Sequence, residues 1–107
     1  MDINRDCREV KSAIDDGADI VLLDVREPEE RGFCAIEGSM HIPMASIPHH
    51  MQKLDAEREI VVVCHHGARS LQVANYLRAN GFDKVYNMSG GIDAWSLTVD
   101  PQIPRYR

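Results

Sequence analysis

Ile60-Val61-Val62-Val63-Cys64-His65-His66-Gly67-Ala68-Arg69-Ser70 joins an uninterrupted apolar run to a segment of helical periodicity through a short loop that contains a glycine. Such a run reads as a strand buried on both faces, the kind found in parallel sheets covered by helices. Beyond the loop, Leu71, Ala74 and Leu77, with Val73 and Tyr76, keep helical spacing as far as Asn80-Gly81, where glycine ends the helix. The order strand, loop, helix puts Cys64 at the end of a strand, beside backbone N–H groups, a helix N-terminus near Ser70 and an arginine. Each of those neighbours lowers a thiol pKa and raises the thiolate fraction, so Cys64 reads as a nucleophile.

Working outward, the same alternation recurs. Ile20-Val21-Leu22-Leu23 is a second buried strand, and Asp24 and Arg26 mark its end. Pro28, followed by Glu29 and Glu30, predicts a short helix that ends near Gly32, because proline suits the first helical position and acids suit the first turn. Upstream, Cys7, Val10, Ala13 and Ile14 form one stripe of a helix over residues 5–16, capped by Asn4 or Asp6, with Ile3 starting an edge strand. Downstream come a short strand near Met40 to Ile42, a turn and helix over 45–54, a strand within 83–88, and a helix planting Trp95 after Ser89-Gly90-Gly91. Residues 100–107 read as an extended tail that wraps the surface or frays.

This pattern predicts an α/β fold: one domain over residues 1–107, with a central, mainly parallel sheet of about five short strands and helices on both faces. In such sheets the ligand site lies outside the carboxyl ends of the strands, so Asp24 and Cys64 arrive at one edge. There Asp24 and Arg26 read as a hydrogen-bonded pair fastening neighbouring loops, which supports the site without taking part in the chemistry.

Bulk properties exclude several classes. A net charge of −5 with no basic stripe argues against nucleic-acid binding. No apolar stretch reaches the length of a membrane span, and Met1-Asp2-Ile3-Asn4-Arg5 lacks the layout of a signal peptide, so the expected location is cytoplasmic. The 3 cysteines, without a Cys-x-x-Cys spacing, indicate neither a disulfide framework nor a thiol-pair redox motif. Cys7 falls on a packing stripe, and the pair His49-His50 lacks a second cluster at ligand spacing, so no metal and no cofactor is expected.

If the loop folds as a cradle, the N–H groups of His65, His66, Gly67, Ala68, Arg69 and Ser70 form an anion-binding nest, with Gly67 supplying the unusual backbone angle. Arg69 adds a permanent charge and a planar fork of donors for an oxyanion. His65 and His66 have two open readings: side chains that bind substrate, or exposed residues of which only the backbone matters.

Cys-x-x-Gly-x-Arg closing a strand resembles the active-site loop of single-domain rhodaneses, the thiosulfate sulfurtransferases. Three further landmarks carry the resemblance: Leu22-Leu23-Asp24-Val25-Arg26-Glu27, Ile36-Glu37-Gly38-Ser39-Met40-His41-Ile42-Pro43, and Gly90-Gly91-Ile92-Asp93-Ala94-Trp95. Cys34 and Ala35 stand where many members have Gly-His, so the resemblance implies no catalytic histidine there. A similar Cys-x-Ile-x-Gly variant occurs in rhodanese-like domains attached to ubiquitin-activating-like enzymes of sulfur-carrier pathways. Phosphatase relatives of the fold carry five residues between cysteine and arginine, whereas Cys64 and Arg69 are separated by four, a ring sized for sulfur.

The resemblance implies a double displacement. Cys64 takes the outer sulfur of a small anionic donor such as thiosulfate, holds it as a persulfide, and passes it to cyanide, a thiol or a sulfur-carrier protein. The alternative is a persulfide carrier or interaction module with no significant turnover of its own. A small phosphatase or arsenate reductase is disfavoured by the loop count.

Overall fold

The structure, a computed structural model, describes residues 2–106. Its centre is β4, Glu59–Val63, with β2, Ile20–Asp24, on one side and β5, Val85–Met88, on the other. Two-residue strands β1, Asn4–Arg5, and β3, Met40–His41, close the edges, giving a 5-stranded sheet of order β1-β5-β4-β2-β3. All pairs are parallel, and the register sets Asp24 opposite Val63, so β2 and β4 end at the same level.

Alternation along β4 builds two cores. Ile60 and Val62 face a layer holding Val73, Ala74 and Leu77 of α4, Ala68–Ala79, and Ile47 of α3, Ile47–His50. Val61 and Val63 face the opposite layer, with Cys7 and Val10 of α1, Cys7–Asp15, and Ile92 and Trp95 of α5, Gly91–Thr98. Each residue from Ile60 to Val63 is thus buried by one helical layer or the other, which is what a continuous apolar run requires. The predicted helices on both faces of a parallel sheet are what the chain forms.

Several boundaries differ from expectation, each for a local reason. α4 starts at Ala68, two residues before Ser70, because Gly67 at φ +111° turns the chain directly into the helix. The α1 cap is Asp6, whose side chain accepts from the Arg8 N–H; Asn4 is instead taken up in β1. The short helix α2 covers Pro28–Phe33, and the segment before β4 is divided into α3 between turns of 3₁₀ helix at Met44–Ser46 and Met51–Lys53. α5 runs one turn past Trp95.

For the tail, the structure takes the first of the two expected alternatives, wrapping the surface. Over residues 100–106 it is held down: Ile103 accepts from the Ser96 hydroxyl at 2.5 Å, and Ile103 and Tyr106 pack on the α1–α5 core. From there Tyr106 reaches the carboxyl edge of the sheet.

Candidate functional site

Cys64 follows the last residue of β4 and is almost fully buried, 1% exposed. Its Sγ accepts from the Gly67 N–H at 3.0 Å and lies 3.2 Å from the Ser70 hydroxyl, at the N-terminal end of α4. A negative charge on that sulfur therefore meets one backbone donor, one hydroxyl and the positive end of a 12-residue helix. The loop is held open from behind. N–H groups in the first turn of α5, from Ile92 and Asp93, donate to the carbonyls of Cys64 and His65 at 2.8 and 3.1 Å. This close approach needs glycine at position 91: a Cβ there would lie 2.4 Å from both carbonyl oxygens.

Arg69, expected to aim its fork at a ligand, instead binds Glu30 of α2 with both terminal nitrogens, at 2.6 and 2.9 Å. Those bonds hold the Glu30 carboxyl far below the usual carboxylate range, at about 2. The guanidinium side chain is still about one-third exposed, at 34%. Tyr106 completes the wall. Its hydroxyl donates to Glu30 Oε2 at 2.7 Å and accepts from Arg26 Nη1 at 3.0 Å, and burial pushes the phenol up to about 12.

Arg26 is fully buried. It donates to both Asp24 oxygens, at 3.0 and 2.7 Å, to the Cys34 carbonyl at 2.7 Å and to the Glu30 carbonyl at 3.3 Å. Asp24 and Arg26 thus sit at the predicted edge and tie β2 to α2 and the segment after it.

The two histidines are placed differently. His65 is buried, its ring stacked on His66 with centroids 3.8 Å apart and on Tyr106 at 3.9 Å and 9° between planes. Its Nε2 is buried without a hydrogen-bond partner, and burial, with His66 second, lowers its pKa. His66 is exposed, with Nε2 3.9 Å from an Asp93 oxygen. His65, His66 and Asp93 bring possible metal-ligand atoms within 4.8 Å of one another, but Arg105 already binds both Asp93 oxygens, at 2.8 and 3.2 Å. Cys7 lies apart from this chemistry. Its thiol points at the Ser89 and Gly91 carbonyls, and burial, with Asp6 second, raises it to about 11.

The structure therefore gathers Cys64, Gly67 and Ser70 into one hydrogen-bonded cluster and turns Arg69 onto a partner the sequence reading did not name. Glu30 was legible only as an acid in a helical first turn. Tyr106 carries no local signal.

Comparison with known proteins follows this geometry. Residues 6–98 match the Rhodanese-like domain. The thiosulfate sulfurtransferase GlpE of Pseudoalteromonas translucida is 36% identical over 90 residues, 84% of this chain and 86% of that protein. A Rhodanese-like/PpiC domain-containing protein 12 of Arabidopsis thaliana chloroplasts is 45% identical over 89 residues, 79% of this chain, which spans only 30% of that protein. Among solved structures, a rhodanese-like domain protein from Staphylococcus aureus superposes with TM-score 0.85 at 29% identity, covering 100% of both chains. The human single-domain sulfurtransferase TSTD1 gives TM-score 0.84 at 25% identity, over 92% of this chain and 98% of that one.

Proposed function

Because the chain belongs to the rhodanese-like domain family, we propose that it is a sulfurtransferase that moves a sulfane sulfur from a donor such as thiosulfate to cyanide or a thiol, through a persulfide on Cys64. Relatives named sulfurtransferase support sulfur transfer in general. The observation that carries the finer reading is the hydrogen bonding at Cys64: a backbone N–H at 3.0 Å and a hydroxyl at 3.2 Å meet the sulfur at the start of α4.

In the first half-reaction the Cys64 thiolate attacks the outer sulfur of thiosulfate. The bond between the two donor sulfurs breaks, and sulfite leaves with the electron pair. In the second, an acceptor thiolate or cyanide attacks the outer sulfur of the persulfide, and Cys64 leaves as a thiolate. Gly67, Ala68 and Ser70 line the sulfur's seat. Arg69 takes the donor's anionic end by sharing or exchanging Glu30, and Asp24 and Arg26 brace the wall. We place the reaction in the cytoplasm, where free thiols persist.

One observation favours a second reading, a carrier loaded and unloaded by partner proteins. Glu30 already neutralises Arg69, so a dianionic donor meets a competitor, whereas a persulfide on a thiol-bearing protein has no need of the guanidinium.

Intact-mass measurement after thiosulfate treatment tests both. An adduct of about 32 Da, absent in Cys64→Ser, supports the persulfide, and steady-state rates with cyanide and dithiols then separate enzyme from carrier. No adduct with any donor, together with p-nitrophenyl phosphate hydrolysis, sinks the sulfur reading.

A further inference from the structure

Behind Cys64 the buried line of side chains continues past Ser70 to Asn87 and Asn4, which sulfur transfer as described above does not use. The Ser70 hydroxyl, fully buried, lies between Cys64 Sγ at 3.2 Å and Asn87 Oδ1, to which it is also hydrogen-bonded. Asn87, in β5 and 3% exposed, donates its amide to Asn4 Oδ1 of β1 at 3.0 Å, so its carbonyl oxygen is turned toward Ser70. Its backbone is fixed as well, the N–H donating to the Ile3 carbonyl at 2.7 Å.

A hydroxyl has one proton to give, and here two acceptors compete for it. When Cys64 is a thiol, S–H donates to Ser70 Oγ and the hydroxyl proton goes to Asn87 Oδ1. When Cys64 is a thiolate, the sulfur has no proton and carries charge. Bonds to an ionised acceptor are about twice as strong as neutral ones, so the proton turns to Sγ and Asn87 loses its donor. A buried acceptor left without a partner is unfavourable, and that penalty opposes ionisation.

We propose that Asn87 is a positioning residue that sets the ionisation of Cys64 by competing for the single proton of Ser70. Ser70 favours the thiolate; Asn87, acting only through Ser70, restrains it. In the sulfur cycle, a role that rests on the function proposed above, the inner sulfur of the persulfide carries no charge. The Ser70 proton then returns to Asn87, and it swings back as Cys64 departs as a thiolate in the second half-reaction.

The test needs no sulfur transfer, so its outcome is separate from that of the functional reading. The rate of iodoacetamide alkylation at Cys64, followed against pH by peptide mass, is compared in the wild type, Ser70→Ala, Asn87→Leu and the double variant. Ser70→Ala moves the midpoint up by about one pH unit, a tenfold change in ionisation constant. Asn87→Leu, similar in shape but without an acceptor, moves it down by about half a unit. The double variant matches Ser70→Ala alone, because Asn87 has no effect without the hydroxyl. A midpoint that stays put or rises in Asn87→Leu, or additive shifts in the double variant, overturns the proposal. Should Asn87→Leu fail to fold, Asn4→Ala, which removes the acceptor that orients the Asn87 amide, gives a smaller downward shift. No shift there overturns the proposal equally.

Discussion

Arg26 and Arg69 each meet a carboxylate at the same sheet edge, yet they are opposites in accessibility. Arg26 is 0% exposed and divides its donors among Asp24, two backbone carbonyls and the Tyr106 hydroxyl. Arg69 hydrogen-bonds Glu30 and keeps about one-third of its side chain in solvent, at 34%. A guanidinium whose donors are fully engaged in the interior is part of the framework. One held by a single carboxylate at the mouth can be exchanged for a ligand. The difference teaches that charge type alone does not identify a substrate-binding arginine; the number and burial of its partners do.

The comparison breaks first at Arg26. Replacing it by alanine leaves the buried Asp24 with only the more distant Arg31, at 3.5 Å, and a backbone N–H, and the expected loss is about 3 kcal/mol of stability, read from urea unfolding. A loss as small as that of a surface pair would mean that Arg26 is not structural. Arg69→Ala is the mirror case. Stability changes by about 1 kcal/mol or less, because the pair is partly in solvent, while the KM for thiosulfate rises about tenfold with loss of a charge-assisted contact. An unchanged KM would remove Arg69 from donor binding.

Glu30→Gln sharpens the same contrast. It weakens the hold on Arg69, so the thiosulfate KM falls about threefold, a shift of under one kcal/mol. The acid limb of stability changes too. Glu30 has a depressed pKa in the fold, so its contribution is present above the ordinary value of 4.5 and is lost as pH falls toward about 2. The variant lacks that limb in a pH series of unfolding midpoints.

At Tyr106 the expected effect is a modest one on stability. Tyr106→Phe keeps the stack on His65 but removes the hydroxyl between Arg26 and Glu30, for about 1 kcal/mol of stability. His65 carries a related pH signature. Its pKa is lowered in the fold, so the unfolded chain takes up the proton first, and stability declines as pH drops below the ordinary 6.5. His65→Gln abolishes that decline; a decline that persists assigns it to another group.

The legible parts of the fold were those encoded locally. Ile60 to Val63 declared a two-faced strand, Gly67 a turn, and Leu71 to Leu77 a helix, so the Cys64 loop could be placed from contiguous residues. Asp24 and Arg26 could be set at the same edge because parallel strands bring their carboxyl ends together. Tyr106 could not be foreseen. Its bond to Glu30 spans 76 residues, and an aromatic residue among prolines and arginines carries no periodicity. Asn87 was equally silent, a polar residue in a buried strand whose meaning depends on Ser70 and Asn4 lying alongside. Gly91 was read as a turn residue; what demands glycine there is the loop pressed against it.

That close contact also governs how the loop could be remodelled. Two N–H groups of α5 hold the carbonyls of Cys64 and His65, while Gly67 leads directly into α4. The loop is therefore clamped at its start by one helix and ends in another. A residue added to widen it would have to enter at His66, the exposed link between the two, or else release α5. Ring size here is a joint property of three elements, so redesign toward larger oxyanions begins at the Gly90-Gly91 turn as much as in the loop itself.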